Sequence, residues 1–69
     1  MNEKLQRLID EMVEKGIRFP EAQREFERRF ITKVLDDSDG NLSKAADVLG
    51  MHRNTLSRKM TELRIKRRP

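Results

Sequence analysis

Leu5, Leu8, Ile9, Met12 and Val13 recur at offsets 0, 3, 4, 7 and 8, a spacing that puts all five on one face of an α-helix. A first helix is predicted from about residue 3 to 15. Asn2 suits its N-cap, Glu3/Arg7 and Glu11/Lys15 stand in the favourable i,i+4 order, and Gly16 offers the left-handed position that ends it. Ile17-Arg18-Phe19 reads as a connector, because Pro20 favours an extended Phe19 while fitting the first turn of a new helix. Phe26, Phe30, Ile31, Val34 and Leu35, at offsets 0, 4, 5, 8 and 9, then predict a second helix from about Pro20 to Leu35.

Asp36-Asp37-Ser38-Asp39-Gly40-Asn41 is dense in turn formers and predicts a break, with Asn41 placed to cap the next helix. Leu42, Ala45, Ala46 and Leu49 predict a helix of two turns, closed by Gly50. Leu56, Met60 and Leu63 predict a fourth helix from about 53 to 63, and residues 64–69 form a basic tail expected to fray. Neither an internal repeat nor the period-2 alternation of a strand is present. The expected fold class is all-α, with four helices. The chain divides into a helical region of residues 1–39 and a second helical region with the tail, residues 40–69, within one domain; the first is the candidate for dimerisation and the second, on the charge and motif described below, for DNA binding.

Sixty-nine residues allow one small domain and make a large enclosed active site improbable. Charged residues are 41% of the chain against 35% hydrophobic, so the apolar material has to lie on narrow helical stripes. A monomer would be marginal, and an oligomer is expected. The absence of Cys excludes a disulfide framework, cysteine-ligated zinc and a cysteine nucleophile. Met1-Asn2-Glu3-Lys4 opens an amphipathic pattern instead of a secretory signal, and no apolar run approaches the roughly 20 residues that cross a bilayer. A soluble, cytoplasmic protein is the expectation. With no carboxylate pair, no nucleophile beside a base and no phosphate-cradling glycine loop, neither an enzyme nor a cofactor or small-molecule substrate is implied.

Charge is unevenly placed. Residues 1–50 carry nine basic and eleven acidic residues, net −2, whereas residues 51–69 carry seven basic residues against Glu62, net +6. A positive pole of this kind suits a polyanion, since Lys and Arg that neutralise phosphates release condensed counterions.

Two short helices around a glycine turn, the first with paired alanines and the second basic, form the pattern of a helix-turn-helix. Steep crossing within a short turn brings the backbones close, so a small side chain is needed four residues before the turn glycine, where Ala46 stands. Leu49, Met51 and Leu56 supply the apolar wedge that fixes the angle. The N-terminal part of the second helix then enters the major groove, where Arg can bond guanine O6 and N7 bidentately. Arg53 is assigned to direct base readout, with Asn54 and Ser57 facing base edges or flanking phosphates. Thr55, Arg58 and Lys59 are assigned to phosphate, as are Asn41, Ser43 and Lys44 at the start of the third helix. His52 reads as turn surface, for a lone His offers neither a metal set nor a catalytic pair.

The run GNLSKAADVLGMHRNTLSRKMTELRI, residues 40–65, closely resembles the C-terminal helix-turn-helix of the Fis family (factor for inversion stimulation), and similar domains end the nitrogen-regulation type of bacterial enhancer-binding activators. Gly40-Asn41, Ala45-Ala46, Leu49-Gly50, Arg53, Thr55-Leu56 and Arg58-Lys59 keep the family's order and spacing, preceded by Phe26-Glu27-Arg28-Arg29-Phe30-Ile31. The resemblance implies an obligate homodimer built by the two N-terminal helices, two recognition helices entering successive major grooves, bent DNA, and a transcriptional regulator or nucleoid-organising role. By matching positions it implies base contact by Arg53 and backbone contacts by Asn41, Ser43, Lys44, Thr55, Arg58 and Lys59. Two departures stand out. The chain lacks a β-hairpin arm ahead of its first helix, so recombinase activation is not expected, and His52 and Asn54 replace a common Asn and a smaller residue.

Leu5, Leu8, Ile9, Phe26, Phe30 and Val34 exceed what the two short helices can cover, and a second copy is expected to bury them. Two other readings stay open: the DNA-binding end of a longer activator, and a helical protein-interaction module without nucleic acid. Met1, a capped first helix and a basic terminus fit a complete small protein, and a fragment would carry the same features. A membrane-surface helix fits poorly, because Leu56, Met60 and Leu63 make too narrow a stripe without Trp or Tyr.

Overall fold

A computed structural model describes residues 3–66. Four helices follow one another as α1 (Glu3–Glu14), α2 (Phe19–Asp37), α3 (Leu42–Leu49) and α4 (Arg53–Glu62), with no strand among the described residues. The expected N-cap Asn2 and the tail residues 67–69 lie outside them.

The core gathers where α3 is held between the C-terminal half of α2 and α4. Ile31, Val34 and Leu35 of α2 meet Leu42, Ala45 and Ala46 of α3 and Leu56 and Met60 of α4, with Leu63 just beyond. Leu49, Met51 and Ile65 cover its edges. An isolated eight-residue helix is well below the length that holds itself in water, so α3 depends on this packing. The core therefore draws on residues from both sides of position 40. By contrast α1 buries none of its side chains.

Each helix ends in the same way. The N–H groups of Ile17, Gly40, Met51 and Ile65 donate to the carbonyls of Met12, Leu35, Ala46 and Met60 at 3.0, 2.9, 3.0 and 2.8 Å. The residues just before them, Gly16, Asp39, Gly50 and Arg64, donate to Val13, Asp36, Asp47 and Thr61. That pairing is the Schellman motif, which needs a left-handed residue at its bend. Gly16 and Gly50 supply it without steric cost at φ +76° and +72°, whereas Asp39 and Arg64 adopt φ +53° and +56° with a Cβ in place.

Helix limits depart from the periodicity at α2. Phe19 lies inside the helix because Arg18 takes the N-cap, its carbonyl accepting from the Ala22 N–H at 3.0 Å. At the other end α2 runs on through Asp36 and Asp37, where the turn-forming composition predicted a break. Lys33 Nζ reaches Asp37 Oδ1 at 3.1 Å, offsetting part of the penalty of acidic side chains at a helix C-terminus. The buried Ser38 still donates its N–H to the Val34 and Leu35 carbonyls, so the turn waits until Asp39. In α1 the Glu3/Arg7 and Glu11/Lys15 spacings do not close as ion pairs; Gln6 Nε2 instead donates to Asp10 Oδ1 at 3.0 Å.

Candidate nucleic-acid interface

The angle between α3 and α4 is set at Gly50. A Cβ added there would meet nothing within 4 Å, so the glycine is needed for its positive φ and not for room. Ala45 and Ala46 are buried beneath the turn, with Ala45 and Leu56 wholly inaccessible. Larger side chains there would push α3 and α4 apart.

With about 100° of rotation per residue, the core stripe Leu56, Met60 and Leu63 lies opposite Asn54 and Arg58. Arg53 and Ser57 occupy one flank of that outward ridge, and Thr55 and Lys59 the other. Arg53, Asn54, Ser57 and Arg58 are exposed, and Thr55 and Lys59 half-buried. Among the described residues neither Arg53 nor Arg58 takes part in an ion pair. Thr61 folds its hydroxyl back onto the Ser57 carbonyl at 3.2 Å.

The two helix N-termini differ. At α3, Asn41 Oδ1 accepts the Lys44 N–H at 3.1 Å, so the expected cap forms, while Ser43 and Lys44 stay exposed. At α4, His52 occupies the N-cap position without a side-chain hydrogen bond, and no acidic residue lies in the first turn. The first N–H groups of α4 therefore have no side-chain cap from His52 and no carboxylate in the first turn to compete, an arrangement that favours an anion.

Lys59 is turned elsewhere. Its Nζ donates to Glu27 Oε1 of α2 at 2.7 Å, a contact reaching across the molecule to the opposite helix. Sequence reasoning gave no signal for Glu27, because 32 residues separate it from its partner. Further along α2, Arg29 Nε contacts Glu25 Oε1 at 2.6 Å. That hydrogen bond, reinforced by the guanidinium charge, holds the Glu25 carboxyl below its ordinary value.

Of the residues expected to face a second copy, Leu5, Leu8 and Ile9 on α1 and Phe26 and Phe30 on α2 are all exposed. The two phenyl rings lie against each other with centroids 5.5 Å apart. Val34 departs from this set: at 8% exposure it belongs to the core of the single chain, where it packs beside Ile31 and Leu35. Periodicity cannot separate a stripe buried within one chain from one covered by another. Val13 and Phe19, both largely exposed, extend the apolar surface.

Among the described residues no group of three or more His, Cys, Asp or Glu is placed to hold a metal ion, and no helix is long and apolar enough to cross a membrane. Comparison with known proteins agrees with the geometry. Residues 22–63 match the family described as "Bacterial regulatory protein, Fis family". Over 43 residues the chain is 49% identical to the "DNA-binding transcriptional regulator NtrC" of Klebsiella pneumoniae, of Escherichia coli (strain K12) and of Salmonella typhimurium. The similarity covers 62% of this chain but 9% of each of those much longer proteins. No solved structure matches. Since the matched stretch spans well over half of the chain and contains the whole α2–α3–α4 core, the chain belongs to the Fis family of bacterial regulatory proteins.

Proposed function

We propose that this protein binds double-stranded DNA as a homodimer, bends it, and acts as a transcriptional regulator or nucleoid-associated protein in the cytoplasm, without catalysis. The observation that carries the reading is the tip of α4, where an uncapped helix N-terminus lies beside Arg53 and Arg58, neither with an ion-pair partner among the described residues. Arg53 reads a base edge, with Asn54 and Ser57 beside it. Arg58, Thr55, Asn41, Ser43 and Lys44 fix the register on phosphates. Lys59, engaged by Glu27, stands apart from this set.

Two copies pair through Leu5, Leu8 and Ile9 of α1 and Phe26 and Phe30 of α2. The two-fold axis presents both α4 helices to one pseudo-palindromic site. Where their separation falls short of one turn of straight B-DNA, about 34 Å, the duplex bends and its deformability adds to specificity.

The test is fluorescence anisotropy on a duplex that the protein enriches from a random pool. Affinity should fall steeply with salt, and Arg53→Ala should lose about 1–3 kcal/mol of discrimination against a scrambled duplex. Failure of the wild type to bind any duplex would favour a protein-interaction module. The match to a small part of much longer regulators supports a second reading, in which the same interface is the DNA-binding portion of a larger activator. An immunoblot of the source cells separates the two, since an independent protein migrates near 8.2 kDa.

A further inference from the structure

The pair formed by Lys59 and Glu27 differs in kind from three side-chain pairs that lie within single helices. Gln6 with Asp10, Arg29 with Glu25 and Lys33 with Asp37 each join residues one helical turn apart and fasten nothing beyond their own helix. Lys59 with Glu27 joins α4 to α2, and the two side chains are 34% and 28% exposed, against 80% and 49% for Arg29 with Glu25. Partial burial weakens solvent screening and holds the geometry more firmly than at the surface.

Its position gives it leverage. Glu27 follows Phe26 and precedes Phe30 on the helix whose exposed rings we assign to the second copy, and Lys59 lies two turns into the helix assigned to the groove. The core holds α4 through Leu56, Met60 and Leu63 and sets its crossing angle, so what is left to adjust is a small roll about the helix axis. An ion pair on the flank of that stripe biases the roll toward one setting. On the opposite flank are Arg53 and Ser57, whose aim at a base edge depends on that roll.

We propose that Glu27 and Lys59 are positioning residues: their ion pair biases the roll of α4 relative to the dimer helix, and Lys59 is thereby spent inside the protein instead of on a phosphate. This inference rests on the DNA-binding reading and narrows it. It removes one positive charge per subunit from the sequence-independent part of binding and converts it into aim for the arginine that reads sequence.

The probe is the duplex enriched by the wild type from a random pool, compared with a scrambled duplex of equal length. Lys59→Glu sets two carboxylates against each other and should lose about tenfold in discrimination, within the range of one misplaced bidentate base contact. The double variant Glu27→Lys/Lys59→Glu restores the attraction with the charges exchanged and should return to within about twofold of wild type. A phosphate-contacting Lys59 predicts the opposite, since the exchange places a carboxylate against the DNA. A folded double variant, checked by far-UV circular dichroism, that binds no better than Lys59→Glu overturns the inference. The neutral pair Glu27→Gln/Lys59→Gln decides independently of how the exchange folds. Its log–log salt slope should stay within about 0.3 of wild type, whereas loss of a phosphate contact lowers the slope by about 0.9 per subunit. A wild type that enriches no duplex at all overturns the DNA-binding reading, and this inference with it.

Discussion

Four helix ends built on one plan allow a controlled experiment on backbone strain. Gly50 sits at φ +72° with nothing within 4 Å of the point where a methyl group would project, so Gly50→Ala introduces no clash. The left-handed conformation itself costs an L-residue about 1–2 kcal/mol, while Ala recovers about 0.4–1 kcal/mol by restricting the unfolded chain. A net loss near 1 kcal/mol follows from the difference of those two ranges, about 1–2 less about 0.4–1. Gly16→Ala carries the same balance, since its φ is +76° and its surroundings are equally open.

At Arg64 and Asp39 the signs reverse. Arg64→Gly releases the left-handed strain at φ +56° against the entropic cost of a glycine, about 0.5–1 kcal/mol, and should stabilise by about 0.5–1 kcal/mol. Asp39→Gly should gain less, because Asp tolerates this conformation better than Arg. Thermal melts followed by circular dichroism, at one fixed protein concentration because association would shift Tm, resolve these differences. A change of about 1 kcal/mol moves Tm by about 4–8 °C in a domain of this size. Gly50→Ala melting at or above wild type, or Arg64→Gly melting clearly below it, would refute the reasoning.

Three further outcomes can be checked. Leu56→Ala, at a wholly inaccessible site, should cost about 3 kcal/mol and abolish the cooperative unfolding transition, measurable by urea titration. Phe30→Ser, on an exposed ring outside the core, should weaken the dimer in sedimentation and lower Tm only at concentrations where the wild type associates, leaving the melt at high dilution unchanged; unchanged association would remove Phe30 from the interface. The Glu25 carboxyl is held below its ordinary value of 4.5 by Arg29. Its contribution is therefore present above that ordinary value and lost as pH falls through the lowered one. Arg29→Gln should return the carboxyl to its ordinary range in an NMR titration.

Periodicity located all four helices because each carries its apolar residues on one face, and α3 matched its expected limits, Leu42 to Leu49, since Asn41 and Gly50 mark both ends by local chemistry. α2 was harder to bound. Its C-terminus depends on the Lys33–Asp37 contact and on which residue turns left-handed, and composition favoured a turn from Asp36 onward. At the candidate interface the exposed ridge of α4 was legible, because Arg53, Asn54, Ser57 and Arg58 are what remains once Leu56, Met60 and Leu63 are turned inward. Two placements were not. Val34 and Phe30 share an amphipathic helix, yet the first faces α3 and the second faces outward, a difference fixed by the docking angle. Lys59 read as one more basic residue until the fold brought Glu27 beside it.

The first helix contributes no fully buried residue to the core of the single chain, and only Met12 among its apolar residues is half-buried. Twelve residues stand at the margin of what backbone propensity sustains in water, so under the proposed pairing the order of α1 would be tied to how many copies are present. In a dimer joined through this helix, abundance becomes a structural variable: a scarce regulator is a three-helix unit trailing a melting segment, and an abundant one is a rigid clamp. Occupancy of DNA would then follow the concentration of the protein more steeply than a pre-formed clamp allows.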